Sequence, residues 1–272
     1  MFDFSLEILI IEHNEVIRRE FSRQATGFGD KGLTLSRQDI LDWIVDTLHL
    51  QKNFRVLDVA AGTGLLSRAI APHVTEVVAI DITPGMLEEA RREAAGCNFD
   101  NISIEEGKAE NLPYEDDFFD LVVSRLAIHH FEKPKVQLCE MVRVCKPLQM
   151  VVVIDLLSPD ERVVDFYNHL ERLRDPSHTV ALTKQQMIRI MEDVGLAVDT
   201  FVTRDIKVDF QRWVQMAGTE PETVELLQTE LMQDVTKPTT TGMRPFLEKD
   251  YLKFYQVWSI AIGMKTDTRS TA

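Results

Sequence analysis

The chain has little cysteine: Cys97, Cys139 and Cys145 are three in 272 residues, an odd number with no C-x-x-C pair. That argues against a disulfide framework and against a structural zinc site, so no metal is expected. It also lacks an excess of basic charge. Lys plus Arg is 30 against 44 Asp plus Glu, a net charge of −14, so nothing draws the chain as a whole to nucleic acid or an anionic membrane. No apolar run approaches the ~18 residues of a membrane-spanning helix. The opening MFDFSLEILIIEHNEVIRREF carries acids where a signal peptide has a basic region. Internal repeats and low-complexity tracts are absent. A reduced, cytoplasmic protein without nucleic-acid or membrane partners is expected. What is present is an ordinary globular composition, 44% hydrophobic and 27% charged, enough for a sizeable core.

Residues 1–50 read as a helical cap: Leu6, Ile10 and Ile17 make one apolar face, Ile40, Ile44, Val45 and Leu48 another, with the glycine-containing ATGFGDKGLT between them as a mobile loop. From residue 51 to 208 short β-rich runs (Arg55–Ala60, Glu76–Ile80, Ile102–Glu105, Phe119–Ser124, Met150–Ile154) alternate with helical stretches (Leu65–Ile70, Pro84–Ala95, Lys135–Val144). That alternation implies βαβ crossovers and a doubly wound, mostly parallel α/β sheet. Helices follow near 161–174 and 184–194, then a β-rich segment at 197–208. Residues 209–253 read as a helical insertion or lid, 254–265 as the last strand, and 266–272 as a disordered tail.

The most informative string is RVLDVAAGTGLLSRAIA. A β-run ends in Asp58, a tight turn covers Ala60, Ala61, Gly62, Thr63 and Gly64, and a helix begins. Such a turn brings backbone N–H groups and a helix N-terminus close to a ligand. Seventeen residues after Gly64, Asp81 closes the next β-run, where a carboxylate can accept from both hydroxyls of a ribose. The pair reads as a nucleoside-cofactor site. Charge selects the cofactor: Asp58 at the foot of the turn would repel a dinucleotide's pyrophosphate, and Ser67 stands at the third glycine position of G-x-G-x-x-G. The same carboxylate suits a cofactor carrying an ammonium and a sulfonium, so S-adenosylmethionine is favoured over NAD. A βα turn with no ligand is the bland alternative.

The strings DVAAGTG, VVAIDITPGML, GKAENLPYEDDFFDLVVSRLAIHHF and VVVIDLLSPD, in this order, resemble the class I S-adenosylmethionine-dependent methyltransferases, and within them the ubiquinone/menaquinone-biosynthesis type and its small-molecule relatives. The likeness covers roughly residues 20–205. It implies a Rossmann-like, seven-stranded sheet with an antiparallel last strand. Asp58 and Ala60–Gly64 would line the methionine moiety, and Asp81 would bind ribose. Ile82 and Met86 would pack on adenine, with Ala109 and Glu110 at its polar edge. Ser124 and Arg125 would approach the methionine end through backbone groups, and the Phe28 region would close over the cofactor. Two departures stand out. Ala60 replaces the commoner first glycine, tolerable at negative φ, and Lys108 stands where an acid often meets the adenine amine, a contact that Glu110 would take over.

His129 and His130 follow a strand at the carboxyl end of the sheet, where ligands sit, and a neutral imidazole is a natural general base. They are the candidate catalytic residues, against the reading that one only caps a turn. Glu115, Asp116 and Asp117 read equally well as a solvated turn. Tyr167 and Arg174, seven apart on one helix face, and His178 are candidate substrate-wall residues. For each of these, as for His169 and Arg172, solvated surface is the simpler reading. Trp213, Trp258 and the methionines of the insertion read as core. The expected activity is methyl transfer from S-adenosylmethionine, leaving S-adenosylhomocysteine, to an O, N or C atom of a small, partly apolar metabolite. The rivals are a cofactor-binding regulator or cyclase without transferase activity and an NAD(P)-dependent oxidoreductase. Homo-oligomerisation is left open.

Overall fold

The computed structural model describes residues 4–25, 34–97, 99–237 and 241–266. Phe28, the centre of the glycine-containing loop and the tail from 267 onward lie outside the described residues. The elements in chain order are α1 (Phe4–Gln24), α2 (Gln38–Thr47), β1 (Arg55–Val59), α3 (Leu65–Ile70), β2 (Glu76–Asp81), α4 (Pro84–Ala95), β3 (Ile102–Glu106), β4 (Phe119–Arg125), α5 (Pro134–Val144), β5 (Cys145–Leu157), α6 (Val164–Arg174), α7 (Lys184–Glu192), β6 (Leu196–Asp209), α8 (Phe210–Ala217), α9 (Pro221–Thr236), β7 (Phe246–Glu248) and β8 (Tyr251–Lys265).

Strands β3-β2-β1-β4-β5 pair in parallel in that order, and β8 runs antiparallel between β5 and β6. Chain order reverses beside β1, with β2 on one side and β4 on the other, so a crevice opens at the carboxyl ends of β1 and β4. Along β1 the side chains alternate: Val56 packs into one layer with Ile40 and Ile44 of α2 and with Leu48 at its end, and Leu57 and Val59 into the other with Leu138 and Met141 of α5. Both faces of the parallel strands are therefore covered, which is why VVVIDLL shows no polar alternation.

The sheet differs from the expected one in its last strands. It has eight strands, because β7 forms a hairpin with β8 through Lys249 and Asp250, both at positive φ (53° and 67°). That turn lacks the Asn-Gly signature that would have marked it in the sequence, so the last strand begins at Tyr251 and the 209–253 segment is not wholly helical. Strand β5 is also longer than the apolar run Met150–Ile154, because its pairing with β4 begins at Cys145 opposite Phe119. No described helix is long and apolar enough to cross a membrane.

Candidate cofactor and acceptor site

The chain leaves β1 at Asp58, whose side chain is buried against α3 and accepts a hydrogen bond from the Ser67 hydroxyl at 2.6 Å. Ser67 therefore does more than break a glycine pattern: it clamps this carboxylate. Burial pushes the Asp58 carboxyl up to about 6, opposed by the Ser67 hydrogen bond and the charge of Arg125. The turn that follows places Ala60, Gly62 and Gly64 all at positive φ (56°, 55° and 70°). The condition under which alanine would be tolerated at position 60, a negative φ, is thus not met. The left-handed turn begins one residue earlier than the glycines, and alanine's small Cβ accepts it at a cost of about 1 kcal/mol. A Cβ on Gly62 would meet nothing within 4 Å, so open space lies over that residue.

Asp81 ends β2 opposite this turn. Its Oδ2 accepts from the Gly62 N–H and its Oδ1 from the Thr83 N–H, each at 2.8 Å. The Thr83 hydroxyl and the Ile82 N–H also draw on this carboxylate. Burial raises this carboxyl too, while the backbone donors of Thr83 and Gly62 draw it down. Ile82, Met86, Ala109 and Glu110 line the same cavity with Asp58, Asp81 and the residues Ala60–Thr63. Glu110 accepts from Asn14 of α1 at 2.5 Å. Lys108 is exposed.

Two of the expected cofactor residues are not among those that line the cavity. Gly64 does not line the cavity; it is the left-handed cap of α3, with Ala90 and Arg68 beside it. Ser124 is fully buried within the sheet, its hydroxyl without a hydrogen-bond partner among the described residues. Arg125 does line the cavity. Its Nη2 donates to the Leu35 carbonyl at 2.7 Å, and burial brings it down to about 10 despite the charges of Asp58 and Asp155.

From the cofactor half the cavity continues under α1 toward α6 and α8. Ile17, Phe21 and Gln24 of α1 form one wall, and Arg23 ties that helix to α8 through the Ala217 and Gly218 carbonyls at 2.6 and 3.2 Å. Both histidines reach this half. The His129 Nδ1 lies 2.5 Å from Asp155 Oδ1, and Asp155 also accepts the backbone N–H groups of His129 (3.2 Å) and Leu156 (2.7 Å). The His130 Nδ1 lies 3.1 Å from the Ser177 carbonyl, and burial brings this imidazole down to about 3, so it stays neutral.

The solvated-surface reading fails for three α6-region residues and holds for His169 and Arg172, which are exposed. Arg174 is buried and lines the cavity; its Nε donates to the Trp213 carbonyl at 3.1 Å and its Nη2 has no partner among the described residues. Tyr167 is buried in the core and does not line the cavity, and burial beside Glu171 keeps its hydroxyl protonated. His178 also stands outside the lining, its Nε2 held 2.7 Å from Asn168 Oδ1, with burial keeping it neutral. Trp213 and Trp258 are core residues, as expected, and also wall residues.

Glu171 and Gln256 were not singled out from the sequence, yet both line the acceptor end. Gln256 donates to Glu171 Oε1 at 2.9 Å, and burial raises the Glu171 carboxyl. The spacing Tyr167, Glu171, Arg174 on one helix face was the available signal for Glu171; for Gln256, on a long strand, there was none. Among the described residues no group of His, Cys, Asp and Glu is arranged to hold a metal ion.

The family model of the methyltransferase domain matches residues 57–153, from β1 into β5. An uncharacterized methyltransferase of Bacillus subtilis (strain 168), YcgJ, is 31% identical over 212 residues, 78% of this chain and 83% of that protein. A demethylmenaquinone methyltransferase of Clavibacter sepedonicus is 39% identical over 105 residues, 39% of this chain and 42% of its own length. The crystal structure of the Bacillus subtilis YcgJ protein superposes with a TM-score of 0.78 at 27% identity, covering 85% of this chain and all (100%) of that one. The chain belongs to the class I S-adenosylmethionine-dependent methyltransferases, in the group that includes the ubiquinone/menaquinone-biosynthesis enzymes.

Proposed function

We propose that this methyltransferase acts on a small, partly apolar acceptor bound between α1, α6 and α8, with S-adenosylmethionine in the β1–β2 half of the same cavity. The observation that carries the reading is continuity: one cavity is lined by Asp58 and Asp81 at one end and by Arg174, Trp213 and Trp258 at the other. The residues at the first end fit the cofactor. Asp81 offers a carboxylate to the ribose hydroxyls, Gly62 leaves room for a close approach, and Asp58 is a buried carboxylate that the charge of Arg125 reaches but that makes no ion pair within 4 Å among the described residues. Ile82 and Met86 offer an apolar seat for adenine, with Ala109 and Glu110 at its edge. When bound, the cofactor supplies a methyl group on a positively charged sulfur.

This chain's part is placement and exclusion of water. Two aligned reactants in a dry cavity need little more for an in-line displacement. Arg125 holds the end of β4 beside Trp258, and Phe21, Trp213 and Trp258 give apolar walls to the acceptor. His129 and His130 present imidazoles at the acceptor end.

Titration calorimetry with S-adenosylhomocysteine and with NAD tests the cofactor. Binding of the homocysteine product and none of NAD is expected; tight NAD binding with no response to the product would reverse the assignment. Mass spectrometry of a metabolite panel incubated with S-adenosylmethionine tests transfer, with the gain of one methyl group as the expected result and a cofactor-saturated chain that methylates nothing as support for a cofactor-binding regulator.

A further inference from the structure

The two histidines at the acceptor end are not equivalent. His130 lies with Nδ1 against the Ser177 carbonyl and hydroxyl, each at 3.1 Å, and that hydroxyl donates to Asp175 at 2.6 Å. Its Nδ1 therefore donates, to uncharged oxygens, so the neutral ring is fixed in place without a carboxylate on it. His129 instead has a carboxylate on its Nδ1. Asp155 lies at the carboxyl end of β5, one residue beyond Ile154, which pairs with Arg125 at the end of β4. The parallel register therefore sets this carboxylate beside the loop that carries His129. An Nδ1 at 2.5 Å from a carboxylate oxygen carries its proton toward that oxygen, which leaves Nε2 as the basic nitrogen. Among the described residues Nε2 has no hydrogen-bond partner, although His129 lines the cavity.

We infer that His129 is the general base for a phenol-type hydroxyl on the acceptor, and that Asp155 is the positioning residue that fixes its tautomer and stabilises the imidazolium once formed. The inference rests on the methyl-transfer reading above and narrows it to an acceptor class. A neutral imidazole takes a proton with far less uphill cost from a phenol, near pKa 10, as the oxygen attacks than from an aliphatic hydroxyl, about as weakly acidic as water near 15.7. The walls agree, because Phe21, Trp213 and Trp258 line this cavity with aromatic side chains. In the step, the hydroxyl oxygen forms a bond to the methyl carbon and its proton passes to His129 Nε2. The carbon–sulfur bond breaks with its electron pair left on sulfur, giving neutral S-adenosylhomocysteine, and the imidazolium later releases its proton to water. The groups facing His129 are Asp155 from β5, Glu171 from α6, and His130 and His178 from the flanking loops. The two histidines stay neutral, so neither sets a positive charge beside the ring.

The test uses the full chain saturated with S-adenosylhomocysteine and 4-nitrophenol as probe, whose phenolate is yellow, at a pH where the free probe is mostly protonated. The wild type should bind the probe and ionise it. Asp155→Asn should lower the ionised fraction roughly tenfold, the ratio that goes with one pKa unit, and His129→Gln should abolish ionisation. Nitrogen-15 spectra of the imidazoles should show His129 protonated at Nδ1 in the wild type and losing that preference in Asp155→Asn. Calorimetric affinity for S-adenosylhomocysteine should be alike in all three chains, which separates the proton-transfer role from a damaged fold; should Asp155→Asn not fold, His129→Gln alone decides. Exclusion of the phenol, ionisation undiminished in His129→Gln, or an Nε2-protonated His129 in the wild type would overturn the inference. If the wild type does not bind S-adenosylhomocysteine at all, it is the cofactor assignment that fails.

Discussion

Lowering the pH through 6 is expected to loosen the cofactor, and Asp58 is the reason. Its carboxyl stands at about 6 in the folded chain because burial costs the charged form more than Ser67 and Arg125 return. Below that value the site holds a neutral acid; above it, a carboxylate that can face the cofactor's ammonium and sulfonium. At pH 7 about nine-tenths of the sites are charged and at pH 5 about one-tenth, so affinity for S-adenosylmethionine should fall roughly tenfold between them, or about 1.4 kcal/mol. Asp81, also raised by burial, would steepen the slope if it titrates in the same range. Calorimetry at the two pH values in wild type and Asp58→Asn reads the effect. The variant should bind more weakly at pH 7 by about 1.5–3 kcal/mol, the worth of a charged hydrogen bond, and lose most of the pH dependence. The fold itself should respond with the opposite sign. A carboxyl raised by folding favours the folded state at low pH, so without cofactor the wild type should gain stability relative to Asp58→Asn as pH falls from about 6 toward 4. The gain is at most about 3 kcal/mol. An affinity that is flat with pH, or that falls equally in Asp58→Asn, would refute the reasoning.

Three further outcomes follow from named contacts. Asp81→Ala should weaken S-adenosylhomocysteine binding by roughly 1–3 kcal/mol in calorimetry, because two ribose hydroxyls lose a charged acceptor; unchanged affinity would place the ribose elsewhere. Ala60→Gly should stabilise the chain by about 0.5–1 kcal/mol in thermal unfolding, since alanine at φ 56° is strained where glycine is not, and a lower Tm would contradict that strain. Leu170→Ala should cost about 2–5 kcal/mol in denaturant unfolding, because Leu170 is fully buried between α6 and the sheet, and a loss under 1 kcal/mol would mean that α6 packs loosely over the acceptor end.

Much of the cofactor half was legible because its parts are close in sequence. Asp58, the turn and Ser67 belong to one βα unit, and Asp81 ends the next strand, so spacing alone brings them together. Helices Leu65–Ile70 and Pro84–Ala95 have the bounds read from periodicity. The acceptor half was less legible. Glu171 and Gln256 are 85 residues apart, and their pairing depends on β8 inserting between β5 and β6, a placement that no local signal encodes. Tyr167 and His178 misled because a polar side chain on an amphipathic segment looks the same whether it faces solvent, core or cavity. The role of α1 as a wall was visible only as an apolar stripe without a stated target.

The sequence by itself determined the alternation of strands and helices, the cofactor turn and the sign of the charge at its foot, because each is set by backbone geometry or composition within a few tens of residues. Only the tertiary structure decided which imidazole meets a carboxylate, which arginine is buried at the cavity and which helix roofs it. Those outcomes come from strand register and helix packing between distant segments, where one residue of slip turns a side chain to the other face of the sheet.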